Sequence, residues 1–320
     1  MIPIKRVLDY KPRKDFIIPE TLVVGIDGPI ISGALKQAQP KQDALFHGIT
    51  TRRGLPFCVV IDGHGYDATA LVRRNTSLAF LCAVNWSTFL DIPEWPVVLV
   101  RNIKKLGDQT NGSGSTFSVV LRHPGGTYDL YSCGDSYIKV INASGNVIHS
   151  SPGANYCALL EELRIATKIT HQSLRTFSRA RYNICSIKTT TTQEPCATRP
   201  MTMNVVPSAY FLFEGKTGYN CINVLDSLGH GGYTKHRIIH SRHYLSEPGS
   251  TVIVATDGIW DVICAEQEAD SEALIRLPAS EIMGLALERW TNAKWTLGDM
   301  EKTFDEEARD DIALFKFTEA

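Results

Sequence analysis

Three distant segments of the chain each place an aspartate at the end of an apolar, strand-like run. The segments are Val59–Gly65, Val252–Asp261 and Arg309–Phe315, and their aspartates are Asp62, Asp257 and Asp310. Glycine follows the first two aspartates and allows the positive φ that a sharp turn after a strand requires. Carboxylates that converge in this way form a hard, oxygen-only site suited to Mg²⁺ or Mn²⁺. The sequence therefore favours a fold that brings these strand ends together.

Size and composition place the chain among ordinary globular proteins. It has 320 residues, of which 43% are hydrophobic and 21% charged, and its formal net charge is −1. This length fits one domain of an α/β or β-rich enzyme. A balanced charge without a basic, aromatic-rich stripe argues against nucleic acid or an acidic membrane as partner. No apolar run reaches the roughly 18 residues that a membrane-spanning helix needs.

The ends and the cysteines indicate where such a chain works. The first residues lack the apolar stretch of a signal peptide. The eight cysteines are widely spaced without a C-x-x-C pair, which favours reduced thiols over a disulfide framework. We therefore predict a cytoplasmic protein, with the nucleus or a larger assembly as alternatives.

Hydrophobic periodicity predicts strands and helices in blocks rather than in strict alternation. Strands are predicted at 44–49, 57–61, 117–121, 128–133 and 138–141, within 206–260 and at 312–317; helices are predicted within 67–95, 157–169 and 270–304. Such blocks fit an α+β fold with two packed antiparallel β-sheets, a β-sandwich flanked by helices.

The domain organisation follows from the same pattern. Residues 1–30 are basic and proline-containing and are predicted to form an N-terminal arm or edge strand. A solvated arm is the simpler interpretation, and docking to an acidic protein partner is the alternative. Residues 31–320 are predicted to form a single domain, within which 150–205 is a divergent, flap-like insertion.

Six short motifs, in order along nearly the whole domain, resemble those of the metal-dependent protein serine/threonine phosphatases of the protein phosphatase 2C family. The matching segments are Val59–Gly65 (V-x-D-G-H-G), Gly114–Thr116 (G-S-T), Gly134–Ser136 (G-D-S), Ser227–Gly229 with its neighbours (S-R-x-L-G), Val254–Val262 (L-A-S-D-G-L-W-D-V) and Asp310–Ile312 (D-N-x-T). Each motif alone is weak, because Asp-Gly and Gly-Asp-Ser are also common turn sequences. Their order and the nine-residue motif around Asp257 carry the resemblance.

The resemblance implies a Mn²⁺- or Mg²⁺-dependent hydrolase that removes phosphate from phosphoserine and phosphothreonine in proteins. It implies two adjacent ions that activate a water molecule, a third ion at a weaker site, and no phosphoenzyme. The implied metal ligands are Asp43, Asp62, the Gly63 carbonyl, Asp135, Asp257 and Asp310. Asp62 would bridge both ions, and His64 would be the general acid for the leaving oxygen.

The chain departs from the family pattern mainly where substrate binds. The phosphate-binding arginine is replaced by Ala38, and Lys36 or Lys41 are the candidate substitutes, although a lysine makes no bidentate contact. Gln42 replaces the first acid of the E-D pair, and His230 replaces an aspartate. These losses leave a second hypothesis open: an inactive pseudophosphatase that acts as a scaffold or structural subunit. The retained carboxylates favour the enzyme.

Overall fold

The structure is a computed structural model of the chain. It describes residues 22–23, 29–36, 42–65, 75–110, 112–152, 187–192, 195–196, 201–202, 206–215, 218–222, 226–230, 234, 236–292, 294–297, 300–303 and 310–320.

Nineteen strands and six α-helices are present in these residues. The strands are β1 Leu22–Val23, β2 Ile30–Lys36, β3 Asp43–Ile49, β4 Pro56–Gly65, β5 Ser113–His123, β6 Thr127–Cys133, β7 Tyr137–Ile141, β8 Val147–Ser150, β9 Ile187–Thr192, β10 Pro195–Cys196, β11 Met201–Thr202, β12 Val206–Gly215, β13 Gly218–Ile222, β14 Leu228–Gly229, β15 Ile239–Tyr244, β16 Thr251–Ala255, β17 Lys294–Leu297, β18 Met300–Thr303 and β19 Ile312–Thr318. The helices are α1 Thr76–Cys82, α2 Trp86–Phe89, α3 Trp95–Leu106, α4 Asp257–Trp260, α5 Glu268–Arg276 and α6 Ala279–Asn292. A 3₁₀ turn at Gly107–Thr110 follows α3.

Two antiparallel sheets form the centre of the fold, as the sequence predicted. The first has the order β15-β6-β5-β4-β3, with β14 paired to β5, and the second has the order β1-β2-β19-β16-β7-β8. The second sheet joins strands that lie far apart in sequence, because β19 pairs with both β2 and β16.

Period-2 alternation along the strands explains why the sheets stack face to face. In β4, Val60 points into the core between the sheets, whereas Val59 and Ile61 point outward into the core under α1 to α3. In β19, Phe315 faces the other sheet and Leu314 faces the core under α4 to α6. The result is a four-layer sandwich of helices, sheet, sheet and helices.

Several local predictions need correction. Residues 270–304 were predicted to be helical throughout, but helices α5 and α6 are followed by strands at Lys294–Leu297 and Met300–Thr303. The leucine-rich periodicity of 274–290 does not extend past Asn292. Helix α3 was not predicted; it begins with proline in its first turn, buries Leu99 and Ile103, and has lysines in its last turn. The predicted helix at 157–169 lies outside the described residues. No helix in the described ranges is long and apolar enough to cross a membrane.

Candidate metal centre

The face between the sheets changes from apolar to polar at one level of four strands. Leu45, Val60, Val254 and Ala313 all belong to the core between the sheets. On the same face of each strand, two residues nearer one end of the sandwich, lie Asp43, Asp62, Thr256 and Asp311. Strand register brings two of these into line, because Asp43 is the direct cross-strand partner of Asp62. One end of the hydrophobic core therefore terminates in a layer of carboxylates.

Three carboxylates in this layer lie close enough to share a cation. Oxygens of Asp62, Asp135 and Asp257 all lie within 4.8 Å of one another. Asp135 follows β6 through Gly134, whose φ is 101°. A side chain at Gly134 would approach Thr116 of β5 to 2.6 Å, so glycine lets the turn before Asp135 pack against the neighbouring strand. Asp257 begins the short helix α4 directly after β16.

Helix α4 is held in place by hydrogen bonds from two indoles. Trp260 Nε1 donates to the carbonyls of Tyr137 and Ala255, at 3.2 and 3.1 Å. Trp290 Nε1, from α6, donates to the Gly258 carbonyl at 2.7 Å. These contacts fix the turn that carries Asp257.

The pKa values of the cluster are raised, because buried carboxylates here repel each other. Burial and then Asp135 raise the pKa of Asp257 to about 7, and burial raises that of Asp135 to about 6. Burial and then Asp257 raise the pKa of Asp62 well above its ordinary value. The pKa of Asp43 is raised by burial and then by Asp311. The largest charge effects in this cluster thus come from other carboxylates.

Asp310 stands at the border of the cluster. The residue as a whole is exposed, but burial of its carboxyl group and the charge of Asp257 raise its pKa. Its Oδ1 accepts a hydrogen bond from the Asp311 amide at 2.9 Å. It therefore interacts electrostatically with the trio without belonging to it.

Asp311 and Thr256 organise the backbone around Asp43. The Asp311 carboxylate accepts hydrogen bonds from the amides of Gln42 and Asp43, at 2.6 and 3.2 Å. The Thr256 hydroxyl donates to Asp43 Oδ2 at 2.8 Å and accepts from the Ala313 amide at 3.0 Å. Neither residue was predicted from the sequence to have a role. The signal was available in Asp311, which directly follows a predicted ligand.

Asn75 was also missed, and it connects the two strands that carry Gln42 and His64. Its side-chain amide donates to Gln42 Oε1 at 3.1 Å and to the Gly114 carbonyl at 3.0 Å. Its Oδ1 caps α1 by accepting from the Leu78 amide at 2.8 Å. An asparagine before a helical apolar pattern is the usual N-cap signal and could have drawn attention to it. The Gln42 side chain, at the place of the family's first acid, is thereby oriented beside the cluster.

His64 lies on the same face of β4 as Asp62, two residues further along. It is half-buried, and its Nε2 is buried without a hydrogen-bond partner in the described part of the chain. Burial lowers the pKa of His64 to about 4. Gly63, between the two, donates its amide to the Gln42 carbonyl at 3.0 Å.

The two lysines proposed for phosphate binding are placed less closely. Lys36 is exposed at the end of β2, in register with Ile312 and thus one residue from Asp311. It lies at the same edge of the sheets as the cluster. Lys41 lies outside the described residues.

The residues at this site fit a hard divalent cation. The Asp135 Oδ1 atom is buried and has no hydrogen-bond partner among the described residues. Such an atom costs free energy unless a ligand satisfies it. Oxygen donors alone, with mutually raised pKa values, match the preference of Mg²⁺ and Mn²⁺ and exclude a soft-metal site.

Comparison with known proteins rests on structure. No family model and no curated protein sequence matches the chain. A serine/threonine phosphatase of S. agalactiae is similar in structure at 16% identity, with a TM-score of 0.50 over 91% of this chain and 99% of that one. The photosystem II phosphatase PBCP is similar at 15% identity and a TM-score of 0.50, over 91% and 98%.

A third neighbour is described by its biology and not by an activity. It is a C. elegans sex determining protein, at 14% identity and a TM-score of 0.53, over 92% of this chain and 65% of that one. These identities support an inference about fold and not about activity. The chain therefore has the fold of the serine/threonine phosphatases of the protein phosphatase 2C type, as a divergent example of it.

Proposed function

We propose that the protein is a metal-dependent hydrolase of phosphoserine and phosphothreonine in proteins. The observation that carries the proposal is the carboxylate trio Asp62, Asp135 and Asp257 at the polar end of the space between the sheets. A sandwich with no cation-dependent role would gain stability by replacing this layer with apolar residues, because unpaired buried charge is costly.

Asp43, Asp62, Asp135, Asp257, Asp310 and the Gly63 carbonyl are the proposed holders of two or three divalent ions. Mn²⁺ or Mg²⁺ bound there would neutralise phosphoryl charge and lower the pKa of a water nucleophile. Asp62 occupies the middle of the cluster and is the proposed bridging ligand, because Asp257, Asp43, Asp310 and Asp135 all act on its pKa. Asp311 and Thr256 hold the Asp43 segment in place.

His64 is the proposed donor to the leaving serine or threonine oxygen. It shares a strand face with Asp62, so a phosphoryl group at the cluster lies beside its ring. The loss of the family's phosphate-binding arginine leaves Lys36 and Lys41 as the candidate cationic contacts for the phosphate. Because a lysine makes a point contact and not a bidentate one, we expect a high KM.

The experiment is phosphate release from a phosphothreonine peptide, with Mn²⁺ titrated and EDTA as the control. Wild type is compared with Asp62→Asn and with Glu247→Gln, a control because Glu247 is exposed and precedes β16, at the opposite end of that strand from Asp257. Metal-dependent release that Asp62→Asn removes and Glu247→Gln retains supports the proposal.

If the folded protein binds Mn²⁺ but releases no phosphate, the enzyme hypothesis is overturned and the scaffold hypothesis is favoured. Calorimetric titration of Mn²⁺ into each variant measures metal binding independently of turnover. Equal release by wild type and Asp62→Asn would exclude the proposed site.

A further inference from the structure

A second buried histidine lies against His64 and takes no part in the function proposed above. The rings of His64 and His230 are 4.7 Å apart between centroids and inclined by 37°. His230 is 3% exposed, and both of its ring nitrogens are buried without a hydrogen-bond partner among the described residues. A buried imidazole that satisfies neither nitrogen is expensive to keep. Its position beside His64 offers a reason for keeping it.

The backbone at His230 is in an unfavourable conformation that places the ring there. Its φ is 52°, the one positive value found for a non-glycine residue in the described part of the chain. The His230 amide donates to the Ser113 carbonyl at 2.7 Å and so ties this residue to β5. Left-handed backbone in a residue other than glycine concentrates at functional sites, because the surrounding structure must hold it.

One glycine makes room for the ring. A Cβ on Gly114 would lie 2.2 Å from His230 Cδ2 and 2.5 Å from its Nε2. Gly114 is the cross-strand partner of His64. The strand beside the one that carries His64 therefore accommodates the second imidazole through a glycine.

The loop after His230 is fixed at its base. His236 Nε2 donates to the Gly229 carbonyl at 2.9 Å, and the Thr234 hydroxyl donates to the same carbonyl at 3.1 Å. Gly229 is paired with Gly114 across β14 and β5. The ring of His230 is therefore anchored from the backbone side and contacts His64 on the other.

We propose that His230 is a positioning residue, whose ring holds the His64 imidazole in the orientation from which it donates to the leaving oxygen. This inference rests on the proposed phosphatase function. In the hydrolysis, the water oxygen attacks phosphorus and the bond from phosphorus to the serine or threonine oxygen breaks. The electron pair stays on that oxygen, which takes a proton from His64 in its imidazolium form, the charge state that an adjacent phosphoryl dianion favours. The attacking water loses a proton to solvent, and solvent reprotonates His64. An alkoxide needs that proton, whereas p-nitrophenolate is a weak base and leaves without it.

The test uses two variants and two substrates with Mn²⁺ at saturation. His230→Asn tolerates the left-handed backbone but lacks the ring, and His230→Phe keeps a ring without nitrogens. His149→Asn is the matched control, because His149 makes the same kind of contact with His243, at 4.1 Å, away from the acidic cluster. The substrates are a phosphothreonine peptide and p-nitrophenyl phosphate.

We expect His230→Asn to lower kcat for the peptide about tenfold or more, since general acid catalysis supplies roughly 10²- to 10⁴-fold and misplacement forfeits part of it. KM for the peptide and kcat for p-nitrophenyl phosphate should change less than about twofold on the same grounds. His230→Phe should recover most of the loss. Equal slowing of both substrates, or no difference from His149→Asn, would overturn the proposal.

Imidazole NMR of ¹⁵N-histidine-labelled protein in EDTA gives a reading that needs no turnover. The His64 signal should be single in wild type and in His230→Phe, and doubled or broadened in His230→Asn. If wild type proves inactive, the phosphatase proposal fails, and this signal alone decides the positioning role. An unchanged His64 signal in His230→Asn would refute it.

Discussion

The two ends of the β-sandwich treat buried carboxylates in opposite ways. At the end away from the metal centre, the Glu319 carboxylate accepts hydrogen bonds from the Arg122 guanidinium, at 2.8 and 2.9 Å, and from the Tyr128 hydroxyl. The Asp129 carboxylate accepts hydrogen bonds from the Arg242 guanidinium, at 2.6 and 2.8 Å, and also bonds to His123 and His240. At the metal-centre end, Asp62, Asp135 and Asp257 instead face one another.

The pKa values of the carboxylates are shifted in opposite directions at the two ends. Burial alone would raise the pKa of Asp129 and Glu319, but hydrogen bonds from arginine outweigh it and both pKa values are lowered. Burial raises the pKa of Asp135 and Asp257 to about 6 and about 7, and no arginine among the described residues offsets this rise. The chain thus pairs a buried carboxylate with arginine where the pair contributes only stability. For the trio Asp62, Asp135 and Asp257, we expect the counter-charge to come from a bound cation.

The largest expected effect is a loss of turnover on substitution at the metal-centre end. Asp257→Asn should lower metal-dependent turnover about 10³-fold, because it removes one of three clustered carboxylates. It should also raise the free energy of unfolding in EDTA by about 1 kcal/mol, since one repelling charge is gone. Urea unfolding and phosphate release measure both effects, with Glu247→Gln as the control. A variant that is less stable than wild type in EDTA would break the comparison.

At the opposite end, a substitution should change the free energy of unfolding and leave metal binding unchanged. Arg122→Met removes the partner of Glu319 and should lower the free energy of unfolding by about 3–5 kcal/mol, because a largely buried charge loses its compensation. The increase in Tm on adding Mn²⁺ should remain as in wild type. Thermal unfolding with and without Mn²⁺ checks both. Loss of the Mn²⁺ effect in a folded Arg122→Met protein would show that the two ends are coupled.

A smaller effect is expected at the second arginine pair. Asp129→Asn should cost about 1–3 kcal/mol, because it weakens hydrogen bonds to a charged group while Arg242 remains largely solvated. Urea denaturation of this variant beside Arg122→Met ranks the two pairs. A greater loss for Asp129→Asn would mean that its histidine partners contribute more than the arginine does.

The pH dependence should differ in sign between the ends. A carboxylate with a raised pKa binds its proton more tightly in the folded state. Without metal, the folded protein therefore loses stability as pH rises from about 4 toward 7. The lowered pKa of Glu319 acts oppositely, and its contribution is lost as pH falls below its unfolded value. Metal must displace protons from Asp135 and Asp257, so Mn²⁺ affinity should rise by up to about tenfold per pH unit for each displaced proton between pH 5.5 and 7.

Calorimetric titration of Mn²⁺ at pH 5.5, 6.25 and 7 measures that dependence. Asp257→Asn is the comparison, and it should show a shallower slope because one displaced proton is missing. A flat dependence in wild type would show that the trio is not the binding site.

Local patterns predicted much of this molecule. Apolar runs predicted the strands that became β3 to β7, and the Asp-Gly pairs marked where strands end. The prediction failed at 294–303, where helical periodicity stops and the chain turns into a hairpin, and at α3, whose buried stripe was overlooked. All the assigned roles stay predictions, namely those of Asp43, Asp62, Gly63, Asp135, Asp257 and Asp310 as metal ligands, of His64 as general acid, and of Lys36 and Lys41 as phosphate contacts.

The sequence by itself determined that carboxylates stand at the ends of apolar strands, because residue type and a continuous apolar run are local properties. Only the tertiary structure decided which ends meet. Asp311 binds the amides of Gln42 and Asp43 across nearly 270 residues of chain, and His230 reaches His64 through the pairing of β14 with β5. Such contacts depend on register between distant strands, which is set by packing of the whole core and leaves no periodic trace in any one segment.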